Sequence, residues 1–313
     1  MAKRDLRTAA MLLVGMAATS CGGPAGDAPQ GGEAEAAPSL TWDVVQDSTQ
    51  RVGRIEGFAG PESVRYDPEQ DVWFVGNMDG PGGQRDGNGF ISRVSAETGE
   101  VEALRFAQGT PERPLHSPRG MYLAGDTLWV VDADGVHGFH RRTGASVAFL
   151  DLTALQPGFL NDVALGPDGA VYVTDTGKSI LYRIAGRDAS VAVADTVLGR
   201  PNGITWDEAR GVLVIVPFGE GFRMSTWRPG GALEAFCPTW APGKLDGVEP
   251  LDGRLLVASQ SDSSIVIMDA DEARPVIRTP GLPADIGVDT RRRRIAVPYI
   301  ALNRVDVWAL PPR

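Results

Sequence analysis

Pro201-Asn202-Gly203-Ile204 is one of six versions of a single four-residue phrase in this chain. The others are Pro61-Glu62-Ser63-Val64, Pro118-Arg119-Gly120-Met121, Leu160-Asn161-Asp162-Val163, Leu245-Asp246-Gly247-Val248 and Pro283-Ala284-Asp285-Ile286. Their second positions lie 57, 42, 41, 44 and 38 residues apart, a period of about forty with one insertion in the first unit. A unit of that size cannot bury its own apolar face, so the period means stacked repeats, in a solenoid or a propeller.

The segments around each phrase decide between the two. A run rich in Val and aromatic residues follows every phrase: 72–75, 128–131, 171–174, 212–216, 255–258 and 295–297. A third run follows at 90–94, 136–139, 180–184, 222–227, 265–268 and 305–308, and a weaker fourth closes most units, as at 101–106, 145–149, 191–194 and 232–236. Bounded by Gly, Pro and Asp, these read as short antiparallel strands. Four strands in each of six units predict an all-β, six-bladed β-propeller. The last unit lacks its fourth strand, while the alternating segment Val52–Phe58 precedes the first phrase without a blade of its own. That segment is therefore expected to supply the missing strand and close the ring, which removes an open sheet edge.

The 313 residues suit one such domain, from residue 40 to 313, and the net charge of −10 argues against nucleic acid as a partner. Before it, Lys3, Arg4 and Arg7 precede an apolar run from Ala9 to Ala18 and then Ala18-Thr19-Ser20-Cys21. This has the form of an export signal and is about half as long as a membrane span. A small-residue run ending in Cys resembles a bacterial lipobox, with residues 1–21 as signal and Cys21 as the lipidated residue. The expected location is then the cell envelope, the outer membrane favoured, with membrane contact through a lipid anchor only. Residues 22–39 carry no large apolar side chain and read as a flexible linker. With Cys21 lipidated, Cys237 has no disulfide partner and reads as a small buried residue.

In a propeller the first strand of every blade lines the central channel. The second position of the phrase therefore forms a ring: Glu62, Arg119, Asn161, Asn202, Asp246 and Ala284. Two carboxylates and two amide oxygens converging on one axis repel unless a cation sits among them. An all-oxygen set suits Ca²⁺, with Mg²⁺, Mn²⁺ or Zn²⁺ as further divalent candidates.

At these residues the chain resembles the regucalcin/gluconolactonase family of six-bladed propellers and, more distantly, paraoxonases and strictosidine synthase-like proteins. The resemblance runs over residues 50 to 310. It implies Glu62, Asn202 and Asp246 as metal ligands, with Asn161 as a ligand or a contact to substrate. It also implies Asp246 as the proton acceptor of a lactone or ester hydrolysis. The chain departs from the sugar-lactonases at Phe159, where they carry an Arg two residues before the third-blade Asn, so a polyhydroxylated sugar acid is a poor fit. Arg119 and Asp162 are the further candidates for contacting a small-molecule substrate, and Asp162 and Asp175 are weaker candidate bases.

Other signals are less specific. The insertion Asn77–Gly89 is dense in Asp, Asn and Gly, the composition of a cation-binding loop, of a lid or simply of a turn-rich loop. His116, His137 and His140 show no metal-ligand spacing, and Arg291–Arg294 reads as an exposed basic turn. Two functions fit: a metal-dependent hydrolase, or a non-catalytic NHL-like propeller that binds a ligand or a protein partner.

Overall fold

The computed structural model describes residues 51–236, 243–269 and 272–310. The expected export signal, Cys21, the linker 22–39, residues 40–50 of the expected domain and Cys237 lie outside them. The described residues form six four-stranded antiparallel sheets, and the chain is a six-bladed β-propeller.

Within five blades the strands follow chain order from the axis outwards. The sixth runs Gly287–Asp289, Arg294–Tyr299, Arg304–Ala309 and then Arg51–Glu56. The N-terminal strand thus closes the ring as its alternation predicts. Ile55 is buried opposite Val305, while Val52, Arg54 and Glu56 face solvent. One expected strand is shorter than its apolar pattern: in blade 4 only Ser225–Trp227 pairs. The chain before it is still turning, with Gly221 at φ 78°.

The core consists of six apolar clusters, each bridging two neighbouring blades. The closing interface joins Ile55, Val64, Trp73 and Val75 to Ala296 and Val305. Phe74 and Ile91 meet Met121, Leu128 and Phe139 across the next one. The apolar residue that ends each phrase feeds these clusters. Val64, Met121, Val163, Ile204, Val248 and Ile286 are all buried.

The basic run proves to be a clamp as well as a turn. Arg292 reaches Asp71 of blade 1 at 2.5 Å and Asp289 at 2.9 Å, and Arg293 pairs with Asp252 of blade 5. On the opposite face the insertion folds over blade 2. The Gly83 and Gly87 N–H groups donate to Ser117 Oγ and His116 Nδ1, and Asp79 pairs with Arg105 at 2.9 Å.

Candidate metal centre and cavity

The phrase residues reach the axis because they do not pair regularly with the next strand. The ladder slips between Pro61 and Ser63, Leu160 and Val163, Pro201 and Ile204, and Leu245 and Val248. A slip of this kind bends the strand and re-aims its side chains. Neighbouring phrases are then stitched together around the channel. Gly120 N–H donates to the Asn161 carbonyl at 3.0 Å, Asp285 N–H to the Glu62 carbonyl at 2.9 Å and Val64 N–H to the Asp285 carbonyl at 3.0 Å.

Glu62, Arg119, Asn161, Asn202 and Asp246 line one cavity of about 480 Å³. Ala284, the sixth member of the ring, offers no donor. The Asp246 Oδ2 accepts from Gln260 Nε2 at 2.6 Å, while its Oδ1 has no partner. Glu62 Oε2 is likewise buried without a partner. Asn161 donates through Nδ2 to Thr176 Oγ1 at 3.0 Å, and the Asn202 side chain partly opposes the upward shift of the Asp246 carboxyl.

The electrostatics follow from this crowding. Burial pushes the Asp246 carboxyl up to about 7, and Asp162 adds to the effect. Burial, then Asp246, raise Glu62 well above the ordinary carboxylate range, against the pull of Arg119. Two buried acids with orphaned oxygens and two amides lining one cavity make an all-oxygen donor set whose chemistry fits a hard divalent cation. Burial also lowers Arg119 from its usual value, with Glu62 opposing. Its guanidinium donates to the Leu160 carbonyl and lies 3.9 Å from the centre of the Phe159 ring.

Asp162, expected beside a substrate, does not line the cavity. It occupies the next layer of the channel, where its oxygens accept the Val163 and Ile204 N–H groups, each at 2.7 Å. It therefore joins blade 3 to blade 4. Asp175 is also engaged in the fold. It accepts the Gly158 and Phe159 N–H groups at 2.8 Å and so fixes the loop that leads into the third phrase. Asp132 does the same for His116 and Ser117 in blade 2. Donor atoms of His116, Asp132 and Asp134 fall within 4.8 Å of one another, a grouping not visible in the spacing. Loop-fixing hydrogen bonds already occupy Asp132 and His116 Nδ1, which accounts for the cluster structurally.

Sequence reasoning missed a second tier. The residue following the second strand of a blade, namely Met78, Thr176, Phe218, Gln260 and Ile300, reaches the cavity in five blades. The signal was present as a fixed offset, but its residue types change from blade to blade. Also missed was the layer beneath the ring, where Arg65 and Glu249 form an ion pair across the channel and Asp285 lies 3.9 Å from Arg65. The insertion supplies a wall of the cavity through Met78 and Gly82.

No protein-family model matches the chain, and no curated relative matches its sequence. Solved structures do match. Regucalcin from Agrobacterium tumefaciens, described as a calcium-binding protein, aligns with a TM-score of 0.62 at 16% identity, over 83% of this chain and 94% of its own. A gluconolactonase from Xanthomonas campestris gives 0.60 at 15% identity, over 85% and 94%. A streptogramin B lyase gives 0.61 at 11% identity, over 83% and 97%. This chain therefore has the propeller fold of regucalcin and gluconolactonase. At these identities the likeness is one of fold.

Proposed function

We propose that the protein is a divalent-metal-dependent hydrolase of a lactone or ester less polar than a sugar lactone. The observation that carries this reading is the pair of buried carboxylates, Glu62 and Asp246, with orphaned oxygens at the base of a cavity they share with two Asn side chains. Among proteins of the same fold, one is described as calcium-binding and another as a gluconolactonase, which agrees with this reading. Ca²⁺ fits the oxygen donors best, with Mg²⁺, Mn²⁺ and Zn²⁺ as alternatives.

Bound there, a divalent cation supplies Lewis-acid polarisation of a carbonyl and a positive charge where an oxyanion develops. The remaining roles fall to this chain's own groups. Asp246, held by Gln260 through one oxygen and free at the other, is the proton acceptor. Its unpartnered oxygen faces the cavity, where a general base must stand within hydrogen-bond reach of the water it activates. It takes a proton from water as the water oxygen bonds to the carbonyl carbon, and the proton passes to the alkoxide oxygen as the acyl C–O bond breaks. Phe159, Met78 and Ile300 offer an apolar wall that holds the substrate body and limits access of bulk water.

A panel of lactones and aryl esters with Ca²⁺, Mg²⁺, Mn²⁺ or Zn²⁺ tests the reading. Turnover should need metal and fall at least about 100-fold in Asp246→Ala, the scale of losing a general base. Cation-dependent thermal stabilisation without turnover of any member would instead favour a non-catalytic, ligand-binding propeller. We further infer export and attachment to the bacterial cell envelope through Cys21, the outer membrane favoured. A Cys21→Ser chain recovered in the membrane fraction would contradict this.

A further inference from the structure

Two arginines line the cavity, and they are held in different ways. Arg119 is 1% exposed and its guanidinium is partly committed to the Leu160 carbonyl. Arg200 stands exposed, its guanidinium 5.6 Å from the centre of the Phe218 ring. No carboxylate of the described residues pairs with it. Many other arginines of the fold are paired, as Arg65 is with Glu249 and Arg292 with Asp71.

The backbone fixes where this head is presented. Arg200 sits at φ 61°, a left-handed conformation that costs a non-glycine residue about 1 kcal/mol. The conformation is held from both sides. Arg200 N–H donates to Ser179 Oγ at 3.1 Å, and its carbonyl accepts Phe218 N–H at 2.9 Å. Within the repeat, Arg200 stands two residues before Asn202, as Phe159 stands two residues before Asn161. Adjacent blades thus place an aromatic ring and a cation at equivalent positions of the phrase, and both line the cavity that the ring amides line.

We propose that Arg200 is a specificity-determining residue that binds a carboxylate on the substrate, so that the cavity takes acidic esters or lactones with an apolar body. A cation held by Glu62 and Asp246 offsets their two charges, which leaves Arg119 and Arg200 as positive groups lining a cavity that is otherwise largely apolar. A guanidinium offers a planar fork that matches a carboxylate in bidentate fashion, and stacking on an aromatic face pre-orders it. A carboxylate on Arg200 and an ester or lactone group at the ring then require a substrate with two polar ends. This assignment rests on reading the ring as the site of ester or lactone hydrolysis, and it is tested without turnover.

Calorimetric titration of the Ca²⁺-loaded protein with suberate and with octanoate separates one carboxylate from two on the same apolar chain. Suberate should bind at least about tenfold more tightly than octanoate. Arg200→Gln should abolish that difference, and Arg200→Lys should restore part of it. The thermal shift produced by Ca²⁺ should persist in both variants, which reports an intact fold and ring. Equal binding of the two acids, binding of neither, or a preference unchanged in Arg200→Gln would overturn the proposal. Arg200-dependent suberate binding by a protein that hydrolyses no ester would uphold it and sink the hydrolase reading instead. Ester turnover with no preference for acidic substrates would do the reverse.

Discussion

Burial alone would keep Asp246 and Asp162 protonated up to about pH 7. The sign of the resulting pH dependence is fixed by linkage. Each carboxyl titrates near 4 when unfolded and near 7 when folded, so the native state binds more protons across that interval. Without metal, stability should therefore fall as pH rises from about 4 to about 7. A cation reverses the penalty at Asp246 and Glu62, so its stabilising effect should grow over the same interval. Thermal melts with Ca²⁺ against chelator should differ little at pH 5. At pH 8 they should differ by on the order of 3 kcal/mol when cation is a hundredfold above its Kd. A difference that shrinks with rising pH would contradict the assignment. In Glu62→Gln the response to cation should be largely lost. Gly120 illustrates a different constraint on single residues. A Cβ there would lie 1.9 Å from Asp162 Oδ1 and 2.6 Å from its Cα. Gly120→Ala should thus cost about 3 kcal/mol or more, the upper range for overpacking, measured as a lowered urea midpoint. The phrase made this glycine visible, but not the neighbouring blade's carboxylate that requires it.

At the scale of elements, second strands such as Val72–Asn77 and Val212–Pro217 were legible because their residues are buried on both faces. Continuous Val-rich runs between turns then mark them without ambiguity. The outer strand Arg51–Glu56 was legible for the opposite reason, its strict alternation. Blade 4 misled because Phe222 belongs by composition to a strand but by backbone to a turn, where it is 38% exposed. The closing strand also carries a prediction. Ile55→Asp, or a chain shortened to begin at Gly57, leaves Arg304–Ala309 as an open edge. Such an edge is a template for pairing with other chains. Size-exclusion chromatography should show higher oligomers or aggregates, and a monodisperse, fully stable product would contradict this account of closure.

For the whole molecule, six apolar interfaces share the work of cohesion, and ion pairs beneath them lock blade to blade. Asp71 is the clearest case. Its hydrogen bond from Arg292 holds the carboxyl down to about 2, against the opposing effect of burial. A depressed carboxyl stabilises the fold above its unfolded value near 4 and loses that contribution as pH falls through about 2. Both partners are part-exposed, so the contribution is about 1 kcal/mol. Asp71→Asn should lower the urea midpoint at pH 7, and the gap to wild type should narrow towards pH 2.5. A gap that stays constant would assign the effect to packing or to Tyr66, whose hydroxyl also binds Asp71.

The six phrases dictate the number of blades, the order of the strands, the closing segment and the ring of Glu62, Asn161, Asn202 and Asp246, because a repeat turns sequence register directly into angular position around an axis. Other features depend on contacts between blades that no periodicity records. Tertiary structure alone removes Asp162 from the cavity, since the groups that claim its carboxylate include an N–H of the next blade. It alone joins the Arg292 guanidinium to Asp71, more than two hundred residues earlier in the chain. Arg200 lies between the two cases. Its register was written in the sequence, but only the folded chain shows that this register lines a cavity and that no carboxylate among the described residues pairs with it.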